Sequence, residues 1–196
     1  MGPTPGRRRQ AGAGFTLVEL SLGLGLGSML FVVLLQGLLL QGNGSERLVR
    51  QLRERAVQRR ALELMRGEVL RAERLVLQGE AGLPAPCPLA GRRPVLQLQT
   101  PQGAVIYTVG APPSDIWRGQ VLMRCGPAYG LDGEISEGQS QNRVLLDSLA
   151  SSGGFAATRS EALRLQLRLQ QRFRLRDGTT QDIHSALEMA TAEIDL

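Results

Sequence analysis

The chain has 196 residues and no lysine among its 23 basic side chains; histidine and tryptophan occur once each, cysteine twice, and aromatics make up only 4%. Each shortage closes off a class of function. With His184 alone, and with Asp182 and Ser185 alternating beside it rather than standing at triad spacing, no Ser-His-Asp arrangement can be drawn, so the histidine reads as structural or solvated. Cys87 and Cys125 stand far apart with no CxxC and no histidine-rich neighbour, which argues against a metal site or a redox motif. None of the 18 acidic residues is singled out by its neighbours as half of a catalytic pair. The sequence reads as that of a non-enzyme, and it calls for no cofactor and no metal.

Arginine in place of every lysine suits phosphate recognition, yet a GC-rich coding bias accounts for it more simply. The formal charge is +5. Arg7, Arg8 and Arg9 supply three positive charges within the first fourteen residues, which hold no acid; the 20 basic and 18 acidic residues that remain leave +2. A balance so close gives weak grounds for nucleic-acid binding.

Charge is also missing from residues 20–40, LSLGLGLGSMLFVVLLQGLLL. At 1.5 Å per residue a helix of that length reaches about 30 Å, one hydrocarbon thickness. The arginines precede it, so the positive-inside rule puts residues 1–14 in the cytoplasm and the chain after about residue 41 across the membrane. In that setting a Cys87–Cys125 disulfide is the better reading, with two buried free thiols as the alternative. On the chain-entropy model such a loop is worth roughly 4 kcal/mol at most. QGNGS, which follows the apolar run, does not resemble an Ala-x-Ala cleavage site, and RRRQAGAGF lacks the apolar residues of a twin-arginine signal. Gly23 and Gly27 form a Gly-x-x-x-Gly pair that permits close helix approach, though chance spacing on a lipid-facing surface fits equally. GLGLGS lies inside an apolar helix with no strand before it and is not a nucleotide loop. Gly37, Gly42 and Gly44 weaken helix continuity.

At the head of this run stands GFTLVEL, residues 14–20, with a carboxylate, Glu19, at the edge of the span. An acidic side chain in a transmembrane helix costs about 2.5–3.5 kcal/mol on insertion scales and needs a cation or polar partner. Gly14, Phe15, Thr16, Leu17, Val18 and Glu19, with the arginine leader before them and the apolar span directly after, closely resemble the type IV prepilin motif shared by pilins and the pseudopilins of type II secretion. The resemblance implies that a prepilin peptidase cuts between Gly14 and Phe15 and that Phe15 is then N-methylated. It also implies that Glu19, fifth in the mature chain, pairs with the N-terminal ammonium of a neighbouring subunit during assembly. The partners implied are other pilins or pseudopilins, an inner-membrane assembly platform and the membrane itself. At Gln36 and Gly37, where many major pilins carry a proline, the sequence departs from the family.

Residues 45–77 read as an amphipathic continuation of the helix, with Val49, Leu52, Ala56, Leu62, Met65, Val69, Ala72 and Val76 at three- and four-residue spacings around a break at Arg59. The opposite face, with Arg50, Arg53, Arg60, Arg71 and Arg74 among glutamates, suits a solvated, ion-paired surface. Residues 79–94, rich in glycine and proline, form a loop. Strands are predicted at 95–99 and 104–109, flanking the turn TPQG, and at 120–125 after another Pro-rich break. A disulfide would tie the loop to the third of these strands. Residues 126–141 are a polar loop whose Asp132, Glu134 and Glu137 do not match EF-hand spacing. Residues 142–155 read as a short strand and turn. Leu163, Leu165, Leu167 and Leu169 alternate with polar residues, which argues a half-buried strand within 162–178. A last strand is expected over 182–190, with a short helix as the alternative.

One long helix followed by a mainly antiparallel sheet is an α+β order. Its divisions are a leader (1–14), a membrane or filament-core helix (15–41), the amphipathic continuation (42–78) and a β-rich extracytoplasmic domain (79–196). More loosely, the arginine-rich helix around residues 66–75, the Tyr107 strand and the Arg124 strand resemble the larger minor pilins of the W class and the J minor pseudopilin of type II secretion. That resemblance implies a minor subunit at the initiating or tip end of a type IV pilus, or of a type II secretion pseudopilus. A reading of another class is a pilus-borne receptor for DNA, or an adhesin. Its candidates are Arg164, Arg168, Arg172, Arg174 and Arg176, against the plainer account that these guard an exposed sheet edge by charge.

Overall fold

The computed structural model describes residues 16–130, 133, 135, 136, 138–160, 164–175 and 178–191, the side chains of 38–47 excepted. The leader arginines, Gly14, Phe15, Asp132, Glu134, Glu137, Leu163 and Arg176 lie outside the described residues. Helix α1, Leu17–Val69, runs without interruption through the glycines near residue 40 and through Arg59. The chain divides into two compact units, Met1–Val49 and Arg50–Leu196. In the first, Leu17–Gly37 is long and apolar enough to cross a membrane, and it is the one such span among the described residues. Its leucines and valines are exposed on every side of the helix.

In the second unit α1 packs on a sheet of eight strands, which makes the fold α+β. The strands are β1 (Arg74–Leu77), β2 (Arg93–Thr100), β3 (Gly103–Gly110), β4 (Gln120–Gly126), β5 (Gln141–Leu149), β6 (Phe155–Arg159), β7 (Arg164–Arg174) and β8 (Thr180–Ala190). Their order is β1-β2-β3-β4-β5-β7-β6, with β8 also on β7, and every pairing is antiparallel. The β2–β3 hairpin turns at Thr100 and Gly103, where the threonine hydroxyl donates to the Gly103 carbonyl (2.8 Å).

Strand β7 is paired along its length by β8, and on its other edge by β6 and, at Leu149, by β5. The expectation of an exposed sheet edge guarded by arginines is therefore corrected. Leu165, Leu167 and Leu169 face the core while Arg164, Arg168, Arg172 and Arg174 stand on the solvent face of an interior strand.

Two expectations for the helix are also corrected. Gln58, Ala61, Leu62, Met65, Glu68 and Val69 are buried, whereas Val49, Leu52 and Ala56 are exposed. At about 100° per residue, Val49, Leu52 and Ala56 lie on the side opposite Met65 and Val69. The apolar spacing thus crosses from one face to the other near Arg59, where the periodicity breaks. The helix also ends at Val69 rather than near residue 77. Its last turn tightens, the Arg71 amide donating to the Glu68 carbonyl (3.2 Å) and the Ala72 amide to Val69 (3.1 Å), and the Glu73 amide then donates to the Gln99 carbonyl of β2 (2.8 Å). Leu75 and Val76 are adjacent and both buried, which a strand achieves by covering both of its faces. Pairing with β2 overrides the helical spacing there.

The main core lies between α1 and one face of the sheet, around Met65, Leu96, Leu98, Tyr107, Leu122 and Leu167. Cys87, Ile106 and Cys125 form a separate cluster, and a disulfide joins the two cysteines, tying the loop after β1 to β4 with their Cα atoms 6.0 Å apart. A buried amide network fastens the helix: Gln58 Nε2 donates to Gln171 Oε1 (2.8 Å) and to the Ile183 carbonyl (3.1 Å), and the Ser185 hydroxyl donates to Gln58 Oε1 (2.6 Å). Gln171 Nε2 in turn donates to the Asp147 carbonyl (2.8 Å). Gln58→Leu, which strands these partners, is expected to cost roughly 1–3 kcal/mol of unfolding free energy, whereas a leucine at the exposed neighbour Arg59 stays within about 0.5 kcal/mol. Paired thermal melts of the two variants check this.

Candidate functional site

The start of α1 builds its own cap. With Leu17 as the first helical residue, Thr16 is the N-cap and Glu19 the third helical position, the T-x-x-E order of a capping box. The Glu19 amide donates to Thr16 Oγ1 (3.3 Å), while the Thr16 amide and hydroxyl donate to Glu19 Oε2 (3.1 and 3.0 Å). The hydroxyls of Ser21 and Ser28 bond back to the Val18 and Gly25 carbonyls (both 2.9 Å) and need no partner outside the helix. Glu19 differs from them. The cap gives it neutral donors, but among the described residues no cation meets its charge and Oε1 accepts no hydrogen bond. Of the three residues drawn from the prepilin-like motif, only Glu19 is placed. The cap was legible in the threonine-to-glutamate spacing itself.

Near the C-terminal end of α1 a second carboxylate sits in the opposite setting. Glu68 is 1% exposed, and Tyr107 and Arg124, direct partners across β3 and β4, both turn toward it. Arg124 Nε donates to Glu68 Oε1 (2.7 Å), and Nη2 reaches the same oxygen at 2.6 Å as an ion-pair contact rather than an aligned hydrogen bond. The Tyr107 hydroxyl donates to Oε2, and the Tyr129 hydroxyl to Oε1 (2.8 Å). Around these, Arg124 Nη1 donates to the Pro127 carbonyl (2.8 Å) and Arg71 Nη2 to the Tyr129 oxygen (2.9 Å). The guanidinium carbons of Arg124 and Arg71 stand 5.1 and 5.9 Å from the Tyr129 ring centre. Burial, then the Glu68 charge, pushes the Tyr107 phenol well above its ordinary range, and the same causes raise Tyr129. Burial works against the Arg124 charge, but the bonds and charge of Glu68 outweigh it and raise Arg124. With both oxygens engaged, Glu68 is equipped to hold α1, β3, β4 and the 127–129 segment together. Tyr107 and Arg124, the two strand residues singled out in the sequence, thus converge on an acid that sequence reasoning passed over. The signal for it was an acid in phase with Ala61 and Met65 on the buried stripe.

The remaining sequence candidates stay apart. His184 is exposed and lies opposite Gln170 across β7 and β8. Asp182 is gripped by Arg172 through two 2.8 Å bonds, and Arg164 pairs with Glu188 at 3.2 Å, so two of the β7 arginines are already partnered. The described residues contain no group of three His, Cys, Asp or Glu side chains placed to hold a metal.

Glu68→Ala leaves Arg124 buried without its counter-charge and is expected to cost about 3–5 kcal/mol, whereas the triple change Glu68→Leu, Arg124→Met, Tyr107→Phe is expected to recover most of it, as read by denaturant unfolding. The phenol also sets an alkaline limit. Its stabilising contribution is complete below the unfolded tyrosine value of about 10 and is lost as pH rises from there toward the raised folded value, so the melting midpoint should fall above about pH 10 and Tyr107→Phe should flatten that fall.

Comparison with protein-family models, with curated proteins and with solved structures finds no match to this chain.

Proposed function

We propose that the protein is a minor pilin-like subunit, inserted in the inner membrane with its β-rich domain outside the cytoplasm. A prepilin peptidase would remove residues 1–14, Phe15 would become the methylated N-terminus, and an inner-membrane assembly platform would add the chain to a type IV pilus or a type II secretion pseudopilus. On this reading the chain is a substrate of an enzyme and is not one itself. The observation that carries it is Glu19, a carboxylate with no cation beside it among the described residues, at the head of an apolar helix whose side chains are exposed all round. A charge there is expensive in lipid, and a free α-amino group on an adjacent processed chain is a cation of the right kind to neutralise it. The uncovered leucines and valines of Leu17–Gly37 suit lipid before assembly and sister helices after it.

The second reading, a DNA receptor, draws on a cleft of about 270 Å³ lined by Arg50, Arg118, Arg172 and Arg174 with Ser148 and Ser151. Because Arg172 is already held by Asp182, three arginines are left to carry it. Binding to duplex DNA that weakens steeply with salt would be its mark.

Two substitutions separate the cap from the charge. Glu19→Gln keeps the acceptor that a capping box needs and discards the charge, while Thr16→Val discards the cap at about 1 kcal/mol and keeps the charge. With an active prepilin peptidase present, both variants should be recovered as chains starting at Phe15, fourteen residues shorter than the precursor, by intact mass and N-terminal sequencing. Incorporation into filaments should drop at least about tenfold for Glu19→Gln and stay close to wild type for Thr16→Val, a tenfold loss corresponding to 1.4 kcal/mol. Equal losses would make Glu19 a cap and nothing more, and an uncut chain beside an efficiently cut control prepilin would remove the whole reading.

A further inference from the structure

On β4, Leu122 and Arg124 face α1, so Met123 and Cys125 face the other side of the sheet. On that side lies a cleft of about 680 Å³, within the range of small-molecule sites. Its floor is Met123 with Val144 of β5. One wall is the segment tied down by the disulfide, with Pro88 and Arg92, and the other is the β3–β4 connection, with Pro112 and Trp117.

Arg92 is the one charged side chain in this lining. It is 8% exposed, yet among the described residues its Nε has no partner and its guanidinium makes one long bond, from Nη2 to the Pro88 carbonyl at 3.4 Å. None of the described carboxylates pairs with it. The backbone before it is bent to deliver it: Ala90 and Gly91 both take left-handed conformations (φ 50° and 74°), and the Arg92 amide closes the turn on the Leu89 carbonyl (3.0 Å). An alanine in that region is held against its own preference, a cost the surrounding structure must over-determine. The stem of Arg92 then lies flat on Gly110, where a Cβ would come within 2.9 Å of its Cγ. Pro88 is fixed in turn by a 2.8 Å bond from Asn142 Nδ2 to its carbonyl.

A buried cation without an anion is poorly placed, and a guanidinium offers a planar fork matched to a carboxylate. The other polar side chain in the lining, Asn142, has its amide nitrogen committed to the Pro88 carbonyl, so one fork among proline, tryptophan, methionine and valine supplies too few donors for a multiply charged phosphate but suits a single carboxylate on a hydrocarbon body. We propose that this cleft is a binding site for small apolar monocarboxylates, the carboxylate seated on Arg92 and the hydrocarbon lying along Pro112, Trp117 and Met123.

Trp117 is the only tryptophan in the chain, so its emission reports on this cleft directly. The test is a titration of the full chain in lipid nanodiscs with hexanoate, hexanamide as the neutral isostere, and empty nanodiscs as the partition control. Hexanoate should give a saturable change in Trp117 emission, with hexanamide at least tenfold weaker. Arg92→Gln should bring the two ligands to equal affinity, and Val144→Phe, which fills the floor and leaves Arg92 in place, should abolish both responses. If Arg92→Gln does not fold, the Val144→Phe variant decides. The proposal is overturned by the absence of a saturable hexanoate response, by equal affinity for hexanamide in the wild-type chain, or by unchanged hexanoate binding in Val144→Phe.

Discussion

A carboxylate withdrawn from water loses hydration worth several kcal/mol, and only a counter-charge with a full set of donors makes that loss good. Glu68 sets this constraint for the globular unit, and much of the surrounding register follows from it. Tyr107 and Arg124 must be direct cross-strand partners with both side chains on the helix face, as they are. A one-residue slip of β4 against β3 would turn Arg124 to the opposite face and leave Glu68 without its cation. The segment after β4 must also return close enough for the Pro127 carbonyl and the Tyr129 hydroxyl to complete the set. A hydrophobic trio of similar volume could give comparable stability. The buried acid and base add a penalty on every alternative register.

The same reasoning explains which side of α1 meets the sheet. The helix carries apolar residues on opposite faces, Val49, Leu52 and Ala56 on one and Ala61, Leu62, Met65 and Val69 on the other, so hydrophobicity alone does not choose. Gln58 and Glu68, ten residues and about 15 Å apart along the axis, are in phase with the second stripe only. Each meets partners on different strands: Gln58 on β7 and β8, Glu68 on β3 and β4. Rotating the helix would cost both networks at once. Leu52 is left more than half exposed as a consequence.

What could be read from the sequence was local. The alternation at Leu165, Leu167 and Leu169, the two-residue turn of the β2–β3 hairpin and the charge-free span each depend on neighbours within a few positions. What could not be read depended on distant pairing. Residues 74–77 fit a helical spacing as well as a strand, and only β2 decides between them. Glu68 looks like any surface glutamate in an arginine-rich helix until Tyr107 and Arg124 arrive from the sheet. Arg92 likewise reads as one half of an Arg-Arg pair in a loop; the disulfide and Gly110 bury it while Arg93 stays exposed. Glu19 is the intermediate case. The apolar context raised the question of its charge, and the T-x-x-E spacing, equally local, answers for its hydrogen bonds alone.

Hydrogen bonding and neutralisation are separate requirements, and among the described residues Glu19 meets only the first. The Thr16 amide and hydroxyl occupy Oε2 and fix the side chain over the first turn, and the helix N-terminus adds a modest favourable field. None of these donors carries a full charge. Oε1 is left open by the described residues, so a cation from outside could bind there without dismantling the cap. Under the proposed subunit role this ordering has a use. The cap has already settled the rotamer of Glu19, so an arriving ammonium meets a fixed acceptor and less side-chain entropy is lost on pairing.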